Sequence, residues 1–251
     1  MKKTTPEHLY NEHRPEAIQQ RLAGTAGSQT ISDAVLGGID GCVTTFAVVA
    51  GAVGAGLSAS IALILGFANL FADGFSMAVS NYESIKARQE YADAIRRTEA
   101  LHIEQIPDGE REEIRQIFQG KGFDGETLEH IVATISQDRR LWIETMLTEE
   151  HGLQKTSPSP GKSAAVTFLA FLMVGALPLL PLLVPGLEMQ RQFVLSAVIA
   201  AFVFFAIGML KSLVFAKPVW RAGIGTLLTG GAAASLAYLT GYLLRNIVGI
   251  G

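Results

Sequence analysis

The sequence holds one cysteine, Cys42, in 251 residues, which excludes an intramolecular disulfide framework and any cysteine-based zinc cluster. Charge is also scarce. Asp, Glu, Lys and Arg make up 17% of the chain, against about 25% in soluble domains. The formal net charge of -3 argues for no nucleic-acid partner. There is no GxxxxGK[ST] phosphate loop, no HExxH, and no nucleophile set beside a base. Those absences point away from an enzyme and from ATP-driven pumping by this chain alone. The most informative absence is local. Segments 41–72, 163–187, 192–210 and 222–244 contain no charged residue, and a bilayer-spanning helix needs roughly 20 apolar residues. By contrast, 84–162 carries 15 acidic and 11 basic residues.

These contrasts predict an all-α, polytopic membrane protein with five transmembrane helices and a helical, acid-rich insert between the second and third. Residues 1–30 are polar and read as a cytoplasmic arm with a short amphipathic helix over 6–22; no cleavable signal peptide is visible. The first span runs from about Ile31 to Val53, and Gly54, Gly56 and Ser58 form a turn. The second begins near Ser58 and is apolar to Phe75. Its pattern continues through Tyr82, Ile85, Tyr91 and Ile95 without a breaker, which predicts one long helix leaving the membrane. Transmembrane helices 1–2 are therefore assigned to 31–89, the insert to 90–155 and helices 3–5 to 156–251.

Within the insert, Pro107-Asp108-Gly109 starts a helix that Gly120 and Gly122 end. Asp124 is the expected N-cap of a second, to about Ser136, and a third runs from Asp138 to His151. Ile114, Ile117 and Phe118, then Leu128, Ile131, Val132 and Ile135, recur at helical spacing and predict packed amphipathic helices. Thr156–Gly161 reads as a linker. Spans at about 163–185, 190–213 and 219–246 follow. Pro178, Pro181 and Pro185 are tolerated there when neighbouring helices satisfy the freed carbonyls. Gly37-xxx-Gly41, and Gly223, Gly225, Gly230 and Gly231, permit close helix approach, including approach to a second copy.

Lysine and arginine set the orientation. With the N-terminus inside, 18 fall on the inner side and 2, Arg191 and Arg245, outside. Lys2, Lys3, Lys211, Lys217 and Arg221 all fall inside. The arm and insert are expected in the cytoplasm, and the C-terminus outside.

Asp40 and Asp73 fall within membrane segments. Asp40 lies halfway along the first span, where burial costs roughly 2.5–3.5 kcal/mol on insertion scales. No Lys or Arg of its own span can pair with it, and Thr44 is one turn on. In the second span Asn69, Asp73 and Met77 form one stripe at i, i+4, i+8. Carboxylate and amide oxygens suit hard cations, whereas a thioether favours Fe²⁺ and the later first-row metals. The plainer alternatives are that Asp73 is a solvated boundary residue and Met77 a packing residue.

Asp40-Gly41, Thr44-Thr45-Phe46-Ala47, Ala50-Gly51 and Ala72-Asp73-Gly74-Phe75-Ser76-Met77 with Tyr82 resemble the vacuolar iron transporter family, which has prokaryotic members. The resemblance covers nearly the whole chain. It implies a homodimeric, proton-coupled exporter that moves Fe²⁺, and often Mn²⁺, Co²⁺, Ni²⁺ or Zn²⁺, out of the cytoplasm. It places the path between protomers, with a metal site on Asp40 and Met77. Asn69 stands where many members have glutamate, and Asp73 where those members have glycine, so Asp73 is expected to take over its role. The resemblance also implies metal ligands in the insert at Glu99, His102, Glu110, Glu113, Met146 and Glu150, with Leu147 at a position that is glutamate in the family.

On their own terms, Glu99/His102, Glu110/Glu113 and Met146/Glu150 each share a helix face. If the faces converge, they offer carboxylate, imidazole and thioether donors suited to Fe²⁺ or Zn²⁺. Glu-rich amphipathic helices are usually just solvated, which is the reading for Glu104, Glu112, Glu126, Glu129 and Glu144. His130 and His151 read as surface residues. The expected partners are divalent metal, protons, the bilayer and a second copy, with no permanently bound cofactor. A prokaryotic plasma membrane is favoured over a vacuolar one. The competing functions are a membrane-anchored metal sensor or buffer, and a passive metal channel.

Overall fold

Pro15 has no N–H to donate, so the helix expected over 6–22 breaks at His13 and Arg14 into α1 (Pro6–Glu12) and α2 (Pro15–Ala23). The computed structural model describes residues 6–23, 26–153, 157–215 and 219–249, and every regular element among them is helical. Lys2, Lys3, Lys217 and Thr156, used in the readings above, lie outside the described residues. α3 (Ala26–Gly54) starts inside the segment read as the arm, because nothing between Ala26 and Ile31 breaks a helix. The expected turn at Gly54–Ser58 leads into α4 (Ala59–Gln105), a single helix of 47 residues.

The chain divides into two compact units, one made of residues up to Tyr82 and from Pro160 onward, the other of Glu83–Ser159. The insert expected at 90–155 falls within the second, which contains α5 (Pro107–Gly120), α6 (Gly125–Gln137) and α7 (Arg139–Glu149). Pro107 occupies the first turn of α5, where its missing N–H costs nothing. Gly122, at φ +93°, makes the reversal into α6. Asp124 holds the N-cap position of α6 but makes no side-chain cap bond, whereas Asp138 caps α7 by accepting from the Arg140 and Leu141 amides at 2.9 and 3.2 Å. Ile114, Leu128, Val132, Ile135, Trp142 and Met146 interlock as the core of this unit.

In the other unit, α8 (Pro160–Gly175), α9 (Met189–Phe215) and α10 (Val219–Val248) join α3 and the first part of α4. These five helices are long and apolar enough to cross a membrane. The third does not run as one α-helix to 185. Past Gly175 it continues as a 3₁₀ segment, Leu177–Leu183, because Pro178 and Pro181 cannot donate to the α-helical ladder. Ser196 on α9 donates to the Pro178 carbonyl at 2.7 Å and Gln192 to the Val184 carbonyl at 3.0 Å, so a neighbouring helix satisfies the freed groups. Cys42, Phe46 and Ala50 of α3 pack against Val203 and Phe204 of α9 and Ala234 of α10. Ile64, Phe71, Phe202, Leu228 and Leu236 are exposed, as lipid-facing side chains would be.

The glycine stripe of α3 serves contacts within the protomer. A Cβ on Gly41 would stand 2.5 Å from the Phe171 carbonyl oxygen, and one on Gly37 would strike the Thr167 carbonyl. These glycines let α3 and α8 touch backbone to backbone. Gly223 and Gly230 likewise face Phe205 and Phe204 of α9, while Gly225 and Gly231 face open space. The close approach that these glycines permit is thus made, at Gly37, Gly41, Gly223 and Gly230, to helices of the same chain.

Candidate metal sites

In the membrane unit, one face of α3 brings Ile31, Val35 and Ile39, then Ser32, Leu36 and Asp40, into line at four-residue spacing. With Met77 of α4 and Lys211 of α9 they line a pocket of about 370 Å³. Asp40 and Met77, assigned to one path from sequence, therefore share a cavity, each half-buried. Lys211, from a different span, lines the same pocket. Asp73 lies within electrostatic reach of Asp40, so the two carboxylates repel. Thr44 and Asn69 do not line the pocket. The Thr44 hydroxyl donates to the backbone carbonyl of Asp40 at 2.9 Å. Asn69 is half-buried, and its amide nitrogen has no hydrogen-bond partner.

Sequence reasoning passed over Asp33. It is 3% exposed, and its Oδ1 accepts from the Gln29 and Asn81 side-chain amides at 3.0 and 3.2 Å. Asn81 also donates to Thr167 of α8 at 2.9 Å. Asp33 heads the stripe Asp33, Gly37, Gly41 that faces α8, and that spacing was the available signal.

In the insert, three apolar stripes end in polar residues. On α4, Glu99 lies between Ile95 and Ile103; on α5, Glu110 precedes the fully buried Ile114 by one turn; at the C-cap of α7, Glu150 follows Trp142 and Met146. Packing the stripes together carries Glu99 and Glu110 inward, while Glu150 stays exposed at the edge. Glu99 is 3% exposed and Glu110 1% exposed. His102 Nδ1 stands 3.3 Å from Glu110 Oε1, not aligned for a hydrogen bond. His151 Nε2 is 3.1 Å from Glu99 Oε1 and 3.5 Å from Glu150 Oε2. Glu99, His102 and Glu110 form one group whose donor atoms lie within 4.8 Å of one another, and Glu99, Glu150 and His151 form another.

Three oxygens, Glu99 Oε2 and both of Glu110, are buried without a hydrogen-bond donor. Burial, followed by repulsion from Glu113 and Glu99, pushes the Glu110 carboxyl up to about 7, against the opposing pull of His102. Glu113, on the exposed rim, is also raised, first by desolvation and then by Glu150 and Glu99, with His102 and His151 opposing. Met146 is wholly buried beside Ile114 and Trp142 and serves the core. Glu104, Glu112, Glu129 and Glu144 instead meet arginines, and His130 is exposed.

His151 corrects the reading of it as a surface residue. The chain reverses at Gly152, φ +64°, and Leu153 N–H donates to the Leu147 carbonyl at 2.8 Å. That turn holds the imidazole against Glu99, a placement helix spacing alone does not reveal.

Five membrane-length helices, an acid and a thioether in one pocket among them, and a helical unit gathering carboxylates and imidazoles define a polytopic membrane protein with two candidate metal sites. The chain belongs to the VIT family, whose model matches residues 31–242. It is 32% identical to the vacuolar iron transporter of Toxoplasma gondii, over 88% of this chain and 76% of that protein. Identity to the vacuolar iron transporter of Centaurea cyanus is 30%, covering 92% and 91%. Identity to vacuolar iron transporter 1 of Arabidopsis thaliana is 29%, covering 88% of each.

Proposed function

We propose that this chain is a divalent-metal transporter and not an enzyme, exporting Fe²⁺, and also Mn²⁺, from the cytoplasm in exchange for protons as a homodimer. The observation that carries the reading is the pocket shared by Asp40 and Met77. A hard carboxylate oxygen beside a soft thioether disfavours Mg²⁺ and Ca²⁺ relative to Fe²⁺ and later metals. The relatives' name, vacuolar iron transporter, supports iron as cargo.

Metal and proton compete for Asp40, so a proton arriving from the far side would release the metal and couple the two fluxes. Asp73 adds a second carboxylate to the same field. The lysine and arginine asymmetry, 18 residues against 2, supports a cytoplasmic N-terminus and insert, and the likeness to vacuolar iron transporters supports export from that side. On this topology the insert is cytoplasmic and captures metal through Glu99, His102, Glu110, Glu113 and Glu150, with Met146 behind them. A prokaryotic plasma membrane is the proposed location. The test is metal uptake by proteoliposomes under an imposed pH gradient. Uptake that follows the gradient's sign supports exchange, and uptake indifferent to it leaves a channel.

The compact insert with its own ligand cluster also supports a sensor or buffer reading. That reading requires metal binding with no flux under any gradient.

A further inference from the structure

We infer that His102 and His151 tune the insert toward the later first-row dications, Zn²⁺, Ni²⁺ and Co²⁺, over Mn²⁺ and Mg²⁺. This rests on the reading of the insert as a metal site and specifies its ligand chemistry. The two donor groups share Glu99, and each contains one imidazole: His102 with Glu99 and Glu110, His151 with Glu99 and Glu150. His102 comes from α4 and His151 from the turn after α7, so two elements each bring one nitrogen to the same buried carboxylate.

A cluster of acids would not be enough to argue from. The second observation is burial without satisfaction. Glu99 and Glu110 are 3% and 1% exposed, and three of their four carboxylate oxygens lack a donor. Two histidines pairing with two acids would leave those oxygens orphaned, and buried carboxylate oxygens are costly in that state. A cation fits the vacancy in donors. Its identity follows from the ligand set. All-oxygen sites suit Mg²⁺, Ca²⁺ and Mn²⁺, whereas imidazole favours Co²⁺, Ni²⁺ and Zn²⁺, and affinity for nitrogen donors rises along the series after Mn²⁺.

The experiment uses the full-length protein in detergent carrying Asp40→Asn, so that the membrane pocket does not contribute. Zn²⁺ and Mn²⁺ affinities are measured by competition with a metal-binding dye, and Co²⁺ binding by its visible absorption. Losing the hydrogen-bond partner of a ligand already costs about tenfold or more in affinity. His151→Gln and His102→Gln should therefore each weaken Zn²⁺ binding by at least that factor, while Mn²⁺ affinity holds. His151→Asp replaces nitrogen by oxygen without deleting a ligand. It should retain metal but lose the preference for Zn²⁺ over Mn²⁺ and weaken the Co²⁺ bands.

Equal losses for Zn²⁺ and Mn²⁺ in the histidine variants, or none for either, would overturn the inference. If Glu99→Gln abolishes binding of both metals while the histidine variants change neither, the insert is a metal site and the imidazoles are not its selectors. If the parent protein binds no metal, the reading of the insert fails as well.

Discussion

Glu110→Gln is the most revealing change in the insert. Glu110 is driven inward by its place on the α5 stripe, and its carboxyl sits at about 7 in place of 4.5 because of burial and the neighbouring acids. That displacement corresponds to about 3 kcal/mol. Between pH 4.5 and 7 the folded, metal-free protein holds a proton that the unfolded chain has released, so stability falls as pH rises through this window. The penalty is absent below 4.5 and complete above about 7. An isosteric amide removes it. At pH 8 the metal-free variant should be more stable than the parent by up to about 3 kcal/mol, and near pH 4.5 the two should coincide. With metal the order of benefit reverses. At one hundred times its dissociation constant a metal stabilises by about 2.7 kcal/mol, and a hundredfold loss of affinity reduces that to about 0.4 kcal/mol. The assay is thermal unfolding followed by fluorescence of Trp142, 3% exposed in the insert core, in a Trp220→Phe background. A variant less stable than the parent at pH 8 without metal, or one with an undiminished metal response, would refute the argument.

Gly41→Ala forces a Cβ to 2.5 Å from the Phe171 carbonyl and should cost about 1–3 kcal/mol in a detergent melt, while Gly225→Ala, facing open space, should be silent. Met77→Leu conserves volume and should cost less than about 1.5 kcal/mol of stability, yet lower Fe²⁺ flux into proteoliposomes by removing the thioether from the Asp40 pocket. Metal affinity of the insert should fall as pH drops through about 7, because a proton on Glu110 then competes. Calorimetry in buffers of different ionisation enthalpy should show protons released on binding.

The membrane helices were legible because charge-free runs of the right length admit little else. The ends of the runs were less so. α3 begins before Ile31, and the third span changes from α to 3₁₀ at Pro178, since local backbone chemistry is independent of hydropathy. In the insert, Glu110 and Glu126 look alike by composition. What separates them is that Glu110 lies one turn from Ile114 on the face α5 buries, which the spacing of its neighbours does encode. Convergence of the three stripes on Glu99 was not readable, because it depends on how α5 and α7 lie against α4. His151 depended on a glycine turn beyond the helix end. The α3 glycines were read correctly as contact makers, but sequence spacing does not name the partner, and α8 of the same protomer takes it. Asp33 was hidden by its nearness to the expected span boundary, although it shares the glycine stripe.

The central claim is that Asp40 stands in a metal path through the membrane unit. The direct measurement is simultaneous metal and proton movement in liposomes holding a metal-sensitive dye and a pH dye, comparing the parent protein with Asp40→Asn. The account predicts metal entry with opposing proton movement in the parent, and neither in the variant while its insert still binds metal. Undiminished metal entry through Asp40→Asn would contradict it.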